Sequence, residues 1–482
     1  MANVLVVADD YTGALDTGVQ FTASGASVYV TTYVDLCMPF DTNLFANYDV
    51  LVVDAESRHL TAEQADLRVG ALTREAARCG FSYFYKKTDS ALRGNIGAEL
   101  GAMLESGGGA SLAFAPAYPM SGRITVGGIQ YINGVPVGES VFAQDVYAPV
   151  KHSKIADIIN EQTSINAISL PDSVYKSSHN LGNGGKKTAK AMIPANNRDK
   201  GSNRNGGDGS DGGDGGGDGG DSGGGGGGGG DGGDGGDRNV IEIYDAQSDA
   251  DLANLGHYLK RCNKLKYLAG CAGFARVLPK LYEIGIYAKT TGTKTVCNAS
   301  GACFFQDLPK SLLIATGSIN PITLNQLAGT EDAGFKTIIL TPEQKVAGVV
   351  SEVVSNVAKV LLEYEYIILA AAKTLDDITQ TDECARKHGM NMVELRSRIC
   401  EIIGKTIAGI LRQCEIGTLV VFGGDTLHEI IKQANIPAIS PIRELAPGIV
   451  ESKILSECYN TRLITKSGGL GGEDTLKIIK KS

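Results

Sequence analysis

Three short clusters in the first hundred residues combine carboxylates, cations and hydroxyls closely enough to do chemistry. Asp9 and Asp10 stand together, followed by Tyr11 and Thr12. Glu56, Ser57 and Arg58 form a second cluster, and Lys86, Lys87, Asp89 and Ser90 a third, with Arg93 three residues on and Arg123 further along. Carboxylates of this kind can accept a proton from an attacking alcohol, and Arg forks pair with carboxylates in a bidentate way. Asp10 is the favoured base and Asp89 the second candidate. Asp10 also fits an N-cap, since a helical pattern begins at once after it. Arg93, and less directly Arg58, would clamp an anionic substrate, with Asp9, Lys87, Ser90 and Arg123 around it.

The second half carries different signals. Gly-rich turns occur at Thr316-Gly317-Ser318, Gly423-Gly424-Asp425-Thr426 and Ser467-Gly468-Gly469-Leu470-Gly471-Gly472. Gly lets backbone N–H groups approach a phosphate, and a following helix adds its positive end. Three such turns on one sheet edge favour a nucleotide over three unrelated tight turns. Gly404-Lys405-Thr406 is a decoy. The first Gly of a phosphate loop would stand at Ile399, and the tripeptide falls inside a long helical pattern.

The elements that must position these residues alternate between strand and helix. Strands are expected at 3–8, 27–33, 49–54, 81–86 and 110–115, with helices at 12–24, 61–78 and 95–105. The pattern resumes at 239–245 and 247–263. A second series has strands at 311–316, 336–341, 365–371, 417–422 and 461–465, and helices at 321–329, 351–363, 391–413 and 426–434. Alternation of this kind predicts an α/β fold: two doubly wound domains with mostly parallel sheets and an interdomain cleft. The polar clusters fall at the carboxyl ends of strands, where open α/β sheets bind ligands. The expected boundaries are 1–285, a linker at 286–310, and 311–482.

Composition narrows the class. Hydrophobic residues make up 43% of 482, Trp is absent, and aromatics are 6%, so aliphatic packing must dominate the core. The formal charge of -9 is misleading, because residues 201–237 alone carry -7 and leave -2 for the rest. Nucleic acid, which favours a basic face, is not expected as a partner. Ten scattered Cys without a C-x-x-C pair and six His without H-E-x-x-H give no metal-ligand set. MANVLVVADD lacks a basic leader pattern, and no run approaches the roughly 18 apolar residues of a membrane helix. A cytoplasmic address without membrane contact is the expectation.

Residues 197–238 are Gly, Asp, Ser and Asn with almost no apolar side chain, a composition that reads as a disordered insert within the first domain. Calcium-binding nonapeptide repeats would need a large apolar residue in each turn. Replacing the insert with a short Gly-Ser link is expected to change stability by about 1 kcal/mol or less and turnover less than tenfold. Loss of soluble expression on deletion would contradict this.

VADDYTGALDTG (7–18), DAESRH (54–59), KKTDSALRGNIGAEL (86–100), APAYPMSGRITVGGIQYINGVPV (115–137) and GCAGFA (270–275) resemble the amino-terminal domain of the four-carbon acid sugar kinases. ATGSINPITLNQ (315–326), FGGDTLHEII (422–431), RELAPGIV (443–450) and KSGGLGGEDTL (466–476) resemble that family's nucleotide-binding domain. The resemblance spans nearly the whole chain except about 150–240. It implies an acid-binding domain at 1–285, an ATP-binding domain at 311–482, and phosphate transfer from ATP to the terminal hydroxyl of threonate, erythronate or 3-oxo-tetronate. It assigns ATP contacts to Gly317, Ser318, Asn320, Gly423, Gly424, Asp425, Thr426 and Gly468 or Gly469. Asn320 stands where family members tend to have Ser. Mg²⁺ is expected on the ATP phosphates, and a homodimer is compatible. Because the acid and nucleotide motifs lie on separate domains, catalysis is expected to require their closure. A phosphatase or other hydrolase using Asp10, and a non-catalytic ATP- and acid-binding relative, are the competing readings.

Overall fold

The structure, a computed structural model, describes residues 4–32, 47–145, 148–176, 239–285, 308–319, 321–328, 330, 334–472 and 474–482. Asn320, the insert 197–238 and all but the last residues of the linker 286–310 lie outside the described residues.

Short runs of β-branched and aliphatic residues form the strands. The first half contributes β1 (Val4–Ala8), β2 (Val28–Thr32), β3 (Val50–Asp54), β4 (Tyr83–Lys87), β5 (Ser111–Ala115), β6 (Arg123–Val126), β7 (Ile129–Ile132), β8 (Val135–Pro136), β9 (Asn166–Leu170), β10 (Val240–Tyr244) and β11 (Tyr267–Gly270). The second contributes β12 (Leu312–Thr316), β13 (Lys336–Ile339), β14 (Tyr366–Ala370), β15 (Thr418–Phe422), β16 (Ile439–Ala446), β17 (Ile449–Ile454) and β18 (Arg462–Lys466). β1, β3 and β12 are buried along their whole length, as expected of strands covered on both faces. Helix starts are fixed by reciprocal caps, such as Thr61 with Gln64, Ser248 with Asp251 and Asn391 with Glu394.

Each half is doubly wound. From β1 the chain goes out to one side through β2 and β3, then crosses to the other through β4 and β11. From β12 it goes out through β13 and β14, then returns to β15 and β18. Crevices open at the carboxyl ends beside such reversals. β6, β7 and β8 form a small separate antiparallel sheet that places Arg123 over the first crevice.

The two sheets are not separate. They join edge to edge through β2 and β16, giving one fifteen-stranded sheet in the order β13-β14-β12-β15-β18-β17-β16-β2-β3-β1-β4-β11-β5-β10-β9. The join is short, a single antiparallel pairing of Ile439 with Val30. It is reinforced by Thr22 Oγ1 to Pro441 O at 3.2 Å, Thr31 Oγ1 to Pro437 O at 3.1 Å and Ser440 Oγ to Val28 O at 3.1 Å. One apolar core cluster runs through both halves. The antiparallel hairpin β16–β17 makes this possible and has no counterpart among the expected strands. RELAPGIV reads as a motif, but its polar alternation and central Pro-Gly hide two strands.

Because of the antiparallel pairings, β1 and β12 run in opposite senses along the sheet, seven strand steps apart. At roughly 20–25° of twist per step the intervening strands turn them back toward a common direction. Both carboxyl edges therefore open on the same cleft.

Candidate active site

The first crevice is small and densely charged. Asp9, at the end of β1, is 2% exposed and accepts from Arg58 Nε at 2.8 Å and Nη2 at 2.6 Å. Lys87 Nζ lies 3.6 Å from the other Asp9 oxygen. Asp10 caps the helix Tyr11–Thr22, accepting from Gly13 N at 2.9 Å, Thr12 Oγ1 at 2.9 Å and Arg58 Nη1 at 2.9 Å. Asp10 is thus an N-cap that also faces the crevice. Gly13 is required there, since a Cβ would run into Lys87 Nζ and Asp10 Oδ1.

Asp89 is bound by its own turn partner. Arg93 Nε donates to Asp89 Oδ2 at 2.7 Å, and Arg93 Nη1 to Asp145 Oδ2 at 3.1 Å. Lys87 therefore pairs with Asp9, and Arg93 is what holds Asp89 ionised. Burial alone would raise the Asp89 carboxyl, but Arg93 and Arg58 outweigh it and keep it far below the usual carboxylate range. Asp10 is likewise lowered, burial being outweighed by Arg58, Lys87 and the Thr12 hydrogen bond. Lys86 points to the opposite face of β4, where Nζ lies 3.0 Å from Glu99 in a fully buried pair that plays no part in the crevice.

Arg123 differs from the other two arginines. It is 6% exposed and donates to Ser90 Oγ at 2.6 Å and Gly469 O at 3.4 Å. Among the described residues no carboxylate lies within ion-pair distance of it, and its buried Nε has no hydrogen-bond partner. The expected clamps, Arg93 and Arg58, are already occupied by protein carboxylates; the guanidinium with capacity left is Arg123.

Sequence reasoning missed Asp16, one helical turn beyond Gly13 and facing the same crevice at 7% exposure. The spacing Asp10-Gly13-Asp16 puts all three on one helix face and was the available signal. Burial pushes its carboxyl up to about 7 against the pull of Lys87. Two His residues, given no role from sequence, also cross between the halves. His59 Nε2 lies 3.3 Å from Asp425 Oδ1, and His428 contacts Glu56. Asp54, Glu56 and His428 bring ligand-type atoms within 4.8 Å of one another, the one such trio among the described residues.

The second crevice is a cleft of about 550 Å³ between the halves. Gly317, Ser318, Gly423, Gly424, Asp425, Thr426, Gly468 and Gly469 all line it. Gly423 has φ 98°, a conformation suited to Gly, and starts the helix Gly424–Ala434. Gly317 N donates to Thr426 Oγ1 at 3.2 Å, tying two of the turns together. A Cβ on Gly424 would stand 2.9 Å from Asp10 Oδ2 and 3.3 Å from Thr12 Oγ1. Asp10 of the first crevice thus lies against the glycine turn of the second. Lys405, in contrast, lies inside the helix Met392–Gln413 and pairs with Glu401 at 2.6 Å, well away from both.

Two buried groups carry a stability prediction. Asp16 is raised to about 7 and Lys466, beneath the turn 467–469, is lowered by burial to about 7. The Asp16 contribution to stability is full below about pH 4 and lost as pH rises through 7. That of Lys466 is full above about pH 10.5 and lost as pH falls through 7. Each is at most on the order of 4 kcal/mol. Asp16→Asn is therefore expected to raise Tm at pH 8 and not at pH 4, and Lys466→Met to raise it at pH 6 more than at pH 9. Calorimetry across pH reads both. Shifts of the opposite sign would contradict the assignment.

Two family models match separate parts of the chain. The family model "Sugar-binding N-terminal domain" matches residues 4–200, and "Nucleotide-binding C-terminal domain" matches 313–476. The chain is 26% identical to a D-threonate kinase of Salmonella typhimurium, covering 98% of this chain and 96% of the relative. It is 24% identical to a D-erythronate kinase of Heliobacterium modesticaldum, with 98% and 95% covered. A 3-oxo-tetronate kinase of Methylobacterium radiotolerans is also 24% identical, with 97% and 96% covered. The chain belongs to the four-carbon acid sugar kinase family. It is accordingly a phosphotransferase with an alcohol acceptor. The family fold is matched by a solved structure from Salmonella typhimurium (TM-score 0.66, 16% identity, covering 100% of this chain and 99% of that one). A Haemophilus influenzae protein of the DUF1537 family gives TM-score 0.61 and 18% identity, with 99% of each chain covered. Among the described residues no helix of this family member is long and apolar enough to cross a membrane.

Proposed function

We propose that the protein transfers the γ-phosphoryl group of ATP to the terminal hydroxyl of a four-carbon sugar acid: threonate, erythronate or 3-oxo-tetronate. The observation that carries this is the shared wall of the two crevices. Asp10, Arg58 and Arg93 line both the cation-rich pocket and the glycine-lined cleft. Asp10 is the carboxylate common to both, whereas Asp16 and Asp89 line only the first and Asp425 only the second.

The acid's carboxylate is held by Arg123, with Ser90 orienting the guanidinium. Asp16 faces the polyol, where its carboxyl can hydrogen-bond a hydroxyl. The terminal hydroxyl meets Asp10, which accepts its proton as the alkoxide oxygen bonds to the γ-phosphorus and the bond to the β,γ-bridging oxygen breaks. Arg58 and Arg93 sit where charge spreads on the transferring group. The turns 317–318, 423–426 and 468–469 hold the ATP phosphates by backbone N–H groups. Asp425 and the hydroxyls of Ser318 and Thr426 are hard-oxygen donors lining the cleft beside those turns, and they would suit Mg²⁺. When bound with ATP, Mg²⁺ neutralises phosphate charge.

The test is ADP release by the full chain with ATP and a panel of tetronic acids, alongside six-carbon acids and unphosphorylated alditols. One four-carbon acid should exceed the others in kcat/KM by tenfold or more. Turnover confined to compounds lacking a carboxylate would refute the proposal, as would ADP release independent of any acid.

A further inference from the structure

The carboxyl edge of the second half sets a direction for the nucleotide. Outward from the seam, the strands run β18, β15, β12, β14, β13. The glycine turns follow the first three, and Gly424 abuts Asp10. The phosphates therefore belong at the inner end. From β15 to β13 is three strand steps, about 14 Å, so the rest of the nucleotide extends toward the ends of β14 and β13.

That outer end of the cleft is built for a flat apolar group. Ala371 and Ala372 leave room above β14, and Ile378, Met392 and Leu395 supply aliphatic walls. Into it comes a cation from the helix Pro342–Ala347, and Arg396, beside Leu395, lines the cleft as well. Lys345 is 1% exposed yet lines the cleft. Its Nζ donates to Thr381 Oγ1 at 2.7 Å. Thr381 Oγ1 in turn donates its proton to Asp377 O at 2.6 Å, so the hydroxyl is fixed as an acceptor. Among the described residues no carboxylate lies within 4 Å of the ammonium, which keeps two further N–H donors. Burial lowers Lys345 to about 8. A buried ammonium in an aliphatic wall is unfavourable unless something accepts its hydrogen bonds. The phosphate turns lie at the opposite end of the cleft. Asp382, the neighbour of Thr381, lines the same cleft and offers an acceptor.

We infer that Lys345, presented by Thr381, is the base-reading donor of a nucleobase subsite, giving a hydrogen bond to a ring-nitrogen acceptor of adenine. Asp382 supplies the complementary acceptor for the exocyclic amino group. This rests on the proposed use of ATP and adds which residues recognise its base.

The experiment is equilibrium binding of Mg·ADP and of inorganic tripolyphosphate to the full chain, wild type against Lys345→Met. The two probes share the phosphate turns, and only ADP reaches the base subsite. Expected is a tenfold or greater loss of ADP affinity with tripolyphosphate affinity within twofold of wild type. Thr381→Val, which removes the hydroxyl that aims the ammonium, should weaken ADP binding in the same selective way and serves if the Met variant folds poorly. Equal losses for both probes, or an unchanged ADP affinity, would overturn the subsite while leaving the kinase proposal standing. Wild-type protein that binds no ADP overturns the kinase proposal itself.

Discussion

Asp10→Asn is expected to lower kcat by about 10²–10⁴-fold while ADP affinity stays within a few-fold. The substitution is selective because Asn is as good an N-cap as Asp, so the helix Tyr11–Thr22 keeps its start and the bond from Gly13 N. What is lost is the carboxylate that reaches both crevices. Arg58 keeps Asp9 as a partner through two short bonds, which limits the damage to the fold. Asp89→Asn serves as the comparison. Asp89 lies in the acid pocket alone and is clamped by Arg93, so its loss should act on acid binding more than on turnover. If Asp10→Asn turned over near the wild-type rate while Asp89→Asn did not, the two roles would be exchanged.

Arg123→Met should raise KM for the acid by about 10–10²-fold, with a much smaller change in kcat. A charge-assisted hydrogen bond is worth about 1.5–3 kcal/mol, and Met retains the apolar stem against Phe142, over which the guanidinium lies at 5.9 Å. Arg93→Ala should look different. It releases Asp89 and Asp145 together, leaving one carboxylate buried without its cation. That variant should lose thermal stability as well as acid affinity. Steady-state kinetics with melting curves separates the two patterns; an Arg123→Met enzyme with wild-type KM would remove Arg123 from carboxylate recognition.

The strands and helices of both halves were legible because their buried runs are short, β-branched and bounded by caps and glycines. β1, β3 and β12 fall within a residue of their expected ends. The hairpin β16–β17 was not legible. It carries Arg443, Glu444 and Glu451, which read as loop, and Glu451 is buried between Arg443 and Arg462 by pairings that sequence spacing does not announce. In the site, residue types were readable and partners were not. Asp9, Asp10, Arg58, Asp89 and Arg93 do converge, but which cation neutralises which carboxylate depends on contacts 48 and 52 residues apart. Arg123 and Lys345 stand out only once it is known which charges remain without a counter-charge.

The seam between β2 and β16 makes the halves depend on each other as manufactured objects. Cut apart, the first half would present β2 and the second β16 as bare sheet edges, each with a row of unshared backbone donors and acceptors. Each fragment would also expose its part of the apolar cluster that now passes beneath the join. Such pieces are templates for sticking to copies of themselves. A nucleotide-binding fragment made alone is therefore a poor stand-in for the whole, and the two fragments are best produced together, where each edge caps the other as it forms.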